Sequence, residues 1–192
     1  MSTSPRRPLR ADAQRNYDAI IDVARSTFAE RGTGASLDDI ASRAGVGPGT
    51  LYRHFPTREA LVTAVLERPV DTLVDWASGL ASGPEEPRHA LDLWFLATAR
   101  HMRTYDGLPD LMTTALAQPE SPLHEQCRRF ADVTETLVEQ AKKAGTIRPD
   151  VDADDLGALV GSIAWASARR NDSDESLQRL LALATEGLGA ER

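Results

Sequence analysis

Thr50, Tyr52, Arg53 and His54 place a hydroxyl, a phenol, a guanidinium and an imidazole within five consecutive residues, and the surrounding stretch 48–58, PGTLYRHFPTR, contains no acid. Donors and positive charge are what phosphate oxygens and the edges of nucleic-acid bases accept. Leu51 and Phe55 are spaced i, i+4, so on a helix they face inward and leave the four polar side chains outside. Gly49 removes a side chain where backbone has to approach a phosphate. Arg58 falls in the first turn of the following helix, where the helix dipole disfavours a cation. A phosphate nearby would compensate, which makes Arg58 a candidate clamp on a nucleic-acid backbone.

The elements that position these groups are two short helices around a tight turn. Ser36 and Asp39 have the S-x-x-D spacing of a capping box, and Asp38 and Asp39 suit the positive end of a helix. Ile40, Ala41 and Ala44 share one side, Gly45 ends this helix, and Val46 plugs the space between the two. Pro48 is tolerated in the first turn of the second helix, over 48–54. Thr57 caps the helix after it. This is a helix-turn-helix, which inserts its second helix into a DNA major groove. A longer helix over 12–31 precedes it, with Tyr17, Ile20, Ile21, Ala24 and Phe28 forming an amphipathic stripe that Gly32 terminates. Arg15, near its start, can meet a phosphate.

The segment GVGPGTLYRHFPTREAL resembles the recognition-helix signature of tetracycline-repressor (TetR) family transcription regulators, whose common form is G-V-x-x-G-T-L-Y-x-H-F-x-x-K-x-x-L. The likeness covers about the first third of the chain. It implies that Tyr52, His54 and Arg58 touch phosphates and that Thr50 and Arg53 are best placed for base edges. With Arg15, Ser36 and Gly49 these make the expected DNA-facing set. Two positions depart from the pattern. Gly47 stands where serine or threonine is frequent, and Arg58 replaces the usual lysine while keeping its charge.

Alanine and leucine are abundant and aromatics few, which favours an all-α fold. No apolar run is long enough to span a bilayer and no signal-peptide pattern opens the chain, so no membrane association is expected. Cys127 is the single cysteine, which excludes an intrachain disulfide framework and suits a reducing cytoplasm. The formal charge of −7 looks wrong for a DNA binder until it is divided. Residues 1–60 hold nine arginines against seven acids, and residues 61–192 hold thirteen basic residues against twenty-two acids. The acidity therefore belongs to the part that faces away from DNA. Residues 1–10, with Arg6, Arg7 and Arg10 among two prolines, read as a disordered arm able to enter a minor groove.

These features divide the chain into the arm, a DNA-binding unit at 11–57 and a ligand-binding and dimerisation body at 58–192. The body begins with a helix over about 58–80 that Pro69 interrupts and should kink; such a kink can serve as a pivot. Further helices are expected at about 87–105, 109–117, 123–144, 153–169 and 174–187. The last two resemble the pair with which TetR-family proteins build a four-helix dimer interface. Gly157, Gly161 and Trp165 on one helix and Leu177, Leu180, Leu181 and Ala184 on the other are its candidates. Glycine within a helix implies close approach of another backbone.

Trp94, Thr98, His101 and Tyr105 fall on one face of the apolar helix 87–105, which puts polar atoms on a stripe that must be buried. With Met102, Met112 and Phe130 they are the candidate lining of a small-molecule cavity, which the family resemblance also implies. The C-terminal part weakly resembles the SbtR-like regulatory domain. His124 and Cys127, three residues apart, have no third ligand nearby, so neither a metal nor another cofactor is expected. Serine-hydrolase, phosphate-loop and zinc-protease motifs are absent. The resulting expectation is a cytoplasmic, homodimeric repressor released from a palindromic double-stranded DNA operator by an unidentified small molecule. The alternatives are a helical enzyme using His101 and Tyr105, and a module that meets protein instead of DNA.

Overall fold

A computed structural model describes residues 6–186, with side chains from residue 11 onward. The described residues form nine α-helices and no strand: α1 (Arg6–Arg31), α2 (Leu37–Arg43), α3 (Pro48–His54), α4 (Arg58–Ser82), α5 (Pro87–Arg103), α6 (Leu108–Leu116), α7 (His124–Lys143), α8 (Ala153–Arg169) and α9 (Asp174–Glu186). No helix among them is long and apolar enough to cross a membrane.

The helix starts follow local chemistry. Ser36, Thr57, Glu86 and Asp152 accept hydrogen bonds from first-turn amides of α2, α4, α5 and α8. The capping box at α2 is only half formed. The Asp39 amide donates to Ser36 Oγ at 3.4 Å, while the Asp39 carboxylate accepts from Arg31 at 2.7 Å instead of reaching back.

Three boundaries differ from the sequence reading. Helix α1 begins at Arg6, so the second half of the segment expected to be a disordered arm is helical, while residues 1–5 lie outside the described residues. The expectation for the Arg6, Arg7 and Arg10 side chains likewise lies outside them. Helix α4 runs unbroken through Pro69 to Ser82, because its neighbours hold the flanking turns: Val65, Leu66 and Val70 are buried on either side of the proline. Helix α5 stops at Arg103, which leaves Tyr105 in the turn before α6.

One apolar core runs the length of the molecule, from Ile20 and Phe28 through Leu61, Leu91 and Trp94 to Leu177. Helix α5 lies at its centre, in contact with α4, α6, α7, α8 and α9. Polar tethers hold the layers in register. The Gln126 and Gln140 amides donate to Thr63 O and Ala81 O, both at 2.9 Å, and join α7 to α4. Arg88 donates to Thr185 O at 2.9 Å and joins α5 to α9.

Besides the packing of α1 on α4, a tight joint between turns ties the three N-terminal helices to the body. Gly32, at φ +75°, turns the chain out of α1, and the Thr33 amide donates to Asp106 O at 2.8 Å. Thr33 Oγ1 donates to the same carbonyl at 3.1 Å. A methyl group on Gly32 would lie 2.9 Å from Asp106 O, and one on Gly107, itself at φ +79°, would lie 2.7 Å from Thr33 Oγ1. Both glycines are required here by conformation and by space.

Candidate functional site

Helix α3 stands on the outer edge of the N-terminal unit. Gly47 precedes it and Pro48 opens it, so no side chain caps its first amides. A methyl group added to Gly49 would meet nothing within 4 Å, which leaves the helix start open to an approaching anion. Leu51 and Phe55 are buried as their spacing requires. Tyr52 is 45% exposed, Arg53 is exposed and Thr50 is half-buried. Among the described residues, neither Tyr52 nor Arg53 has a hydrogen-bonding or ionic partner within the chain. The helix therefore presents a phenol and a guanidinium whose donors are unused.

Three expected DNA contacts, Arg58, Arg15 and Ser36, already have polar partners within the chain, and a fourth, His54, packs its ring there. The His54 ring packs edge-on to Tyr17, 5.9 Å between centroids, and lies 6.2 Å from Phe55. Tyr17 in turn leans on Phe55 at 5.1 Å, so the imidazole closes an aromatic group that joins α3 to α1. Arg58 donates to Thr33 O at 2.8 Å and also to Ala35 O. The compensating negative charge inferred for its guanidinium is supplied by these two carbonyls, and Arg58 serves the loop before α2. Arg15 is paired on the surface with Asp12. Ser36 is occupied as the cap of α2.

A cavity of about 900 Å³ opens between α5, α6, α7 and α8. Of the residues expected to line it, Thr98, Met102, Met112 and Phe130 do so. Trp94, His101 and Tyr105 do not. Trp94 is fully buried behind the wall, donating from its indole to Thr134 Oγ1 at 2.9 Å and stacking on Phe130 at 5.2 Å. His101 stacks on the same phenyl ring at 5.6 Å. Burial lowers its pKa to about 4, and Nε2 has no partner among the described residues. Tyr105 lies in the turn that ends α5, and burial raises its hydroxyl pKa against the opposing influence of Arg25 on α1. The enzymatic alternative required His101 and Tyr105 at one accessible site, and the fold separates them from the cavity and buries both.

Helix α8 supplies the wall that the sequence reading missed. Gly157, Gly161 and Trp165, expected at a dimer interface, line the cavity. The space at Gly161 is taken by the Met102 side chain, 3.6 Å from where a Cβ would stand, and not by another backbone. On α9, Leu177 and Leu181 are buried within their own chain, while Leu180 and Ala184 are half-buried. Leu159 and Trp165 on α8, at 38% and 45% exposure, and Leu183 on α9, at 67%, are the large apolar groups these helices leave outside. Apolar periodicity locates such residues but cannot say which side of a two-sided helix its own chain covers.

His124 and Cys127 do not act together. The His124 Nδ1 lies 3.1 Å from Ala115 O, and the Cys127 thiol faces Met112 O at 3.7 Å. Burial pushes that thiol up to about 11.

Comparison with known proteins agrees with both halves of this architecture. Residues 20–65 match the profile of bacterial regulatory proteins of the tetR family, and residues 86–190 match the SbtR-like transcriptional regulator C-terminal domain. The crystal structure of the TetR regulator SCO0520 from Streptomyces coelicolor is 34% identical, with 91% of this chain and 99% of that one aligned at a TM-score of 0.62. A TetR regulatory protein from Mycobacterium vanbaalenii is 37% identical over 95% of this chain and all of its own, at a TM-score of 0.54. The transcriptional repressor KstR2 of Mycobacterium tuberculosis is 26% identical over 156 residues, 78% of each chain.

Proposed function

This chain is a DNA-binding transcriptional regulator of the TetR family, and on that premise we propose that it is a homodimeric repressor released from a palindromic operator by a small molecule held between α5 and α8. The observation that carries the reading is the exposed α3 edge with free Tyr52 and Arg53. Arg53 and Thr50 read base edges, and Tyr52 and the open α3 start at Gly49 hold phosphates. His54 and Arg58 keep α3 in place from within the chain. Residues 11–57 form the DNA-binding unit and the remainder the regulatory body.

Exposed Leu159 and Leu183 support pairing of two chains through α8 and α9, which repeats α3 at the spacing of two half-sites. Helix α6 supports a route for release. It contributes Met112 and Leu116 to the cavity, and the turn before it is bonded to Thr33 at the end of α1. A ligand that moves α6 changes the seat of the N-terminal unit, and by reciprocity the operator weakens ligand binding equally.

Fluorescence anisotropy with a duplex from the chain's own promoter region tests this reading. Arg53→Ala should weaken binding by about ten- to a hundredfold, the worth of one good bidentate base contact, with the melting temperature unchanged. Wild-type affinity in Arg53→Ala and Tyr52→Ala together would overturn the reading.

A further inference from the structure

We propose that the cavity selects a lipophilic organic cation; this rests on its being the ligand site. The charged residues among its lining are Asp110 and Asp154, and among the described residues no lysine or arginine lines it. Neither carboxylate has an ion-pair partner among the described residues. Both stand in the first turns of helices, α6 and α8, where an acid is favoured in any case. That accounts for two acids but not for a cavity without a base.

A second observation lies within the wall. Thr98 is only 9% exposed, lines the cavity, and its Oγ1 has no hydrogen-bond partner. A threonine on a helix can bond the carbonyl four residues back, as Thr63 and Thr134 do here. A buried hydroxyl left without that bond keeps its dipole free to turn towards whatever enters the cavity, a positive charge included.

The walls specify the remainder. Met102, Met112, Leu116, Phe130 and Trp165 present thioethers, an alkyl group and two aromatic rings. Aromatic faces attract cations. Trp165 already carries the Arg169 guanidinium 5.4 Å from its ring centre, and Arg169 is not among the lining residues. A small, strongly hydrated cation loses too much solvation in such a site. A bulky cation with a shielded charge loses little and gains from both carboxylates and the rings. A phosphate or carboxylate ligand meets two acids and no compensating base.

The test is a pair of ions of the same shape and opposite charge, tetraphenylphosphonium and tetraphenylborate, titrated calorimetrically into the full chain. The phosphonium should bind at least tenfold more tightly. Asp110→Asn/Asp154→Asn should bring the two affinities within about threefold of each other, because Coulomb attraction to the rim is lost while the apolar walls remain. Gly161→Leu, which fills the cavity, should abolish both. Borate binding as tight as phosphonium binding overturns the charge selection and leaves the cavity as the ligand site. Preference for the cation persisting in the double Asn variant means attraction by the acidic surface in general, and also overturns it. If neither ion binds, the cavity is lost as a ligand site and this inference with it, whereas operator binding measured on the same preparation stands or falls separately.

Discussion

His101 is kept neutral by burial against Phe130, and the effect should appear below neutral pH. Its pKa is about 4 in the fold against 6.5 in the unfolded chain, so between these values the unfolded state binds more protons. Stability is complete above pH 6.5 and falls as pH drops towards 4, by at most about 3 kcal/mol from this group. Urea unfolding at pH 7 and pH 4.5 should show a smaller pH-dependent loss in His101→Phe, which keeps the ring stack and cannot protonate. Arg58 makes the opposite kind of case. Arg58→Ala leaves the carbonyls of Thr33 and Ala35 without their charged donor and should cost about 1–3 kcal/mol in unfolding free energy. The slope of operator affinity against salt should not change, because no phosphate contact is lost. Sequence patterns of donors identified which residues stand near α3 but not what they bond. Arg58 carries the right chemistry for DNA, yet the folded chain reaches its guanidinium first, while His54 packs its ring on Tyr17 and its nitrogens bond nothing among the described residues.

At the scale of elements, the helix stripes were readable because a buried face repeats every three to four residues. The end of α5 was not. Tyr105 continues the spacing of Trp94, Thr98 and His101, yet α5 ends at Arg103 and leaves Tyr105 in the turn that leads through Gly107, at φ +79°, into α6. The cavity was half legible for a related reason. A stripe can show that Trp94, Thr98 and His101 are buried, but which of them faces an open space depends on α6 and α8, whose approach no local pattern encodes. Pro69 remains a test of α4. Its ring removes one amide donor from an unbroken helix, so Pro69→Ala should raise the urea midpoint. If α4 pivots there, the ratio of operator affinities without and with a bound cavity ligand should also fall. An unchanged ratio would make the proline a static feature of the helix.

The whole molecule combines a mildly basic N-terminal part with a strongly acidic body, so in the proposed dimer affinity for DNA would rest on two copies acting together. Leu183→Glu, at a position 67% exposed, should leave the subunit folded and shift it to monomer in sedimentation. Operator affinity should then fall by more than tenfold, a loss far larger than one added charge distant from DNA would produce. A folded Leu183→Glu dimer with wild-type affinity would remove α9 from the interface. Division of charge between the two parts was plain in the amino-acid sequence. Of the exposed apolar groups on α8 and α9, Trp165 was singled out in the sequence, whereas Leu159 and Leu183 were not, because their helices carry apolar residues on more than one side.

The Gly32–Thr33 joint has a practical corollary for anyone transplanting DNA specificity between relatives. Its hydrogen bonds connect positions 73 residues apart, and both flanking glycines are held to that identity by a neighbour less than 3 Å away. A chimera that exchanges only the first three helices would set a foreign loop against Asp106 and Gly107. Grafts should succeed when the donor's 104–108 turn travels with its headpiece, and should lose inducibility when it does not.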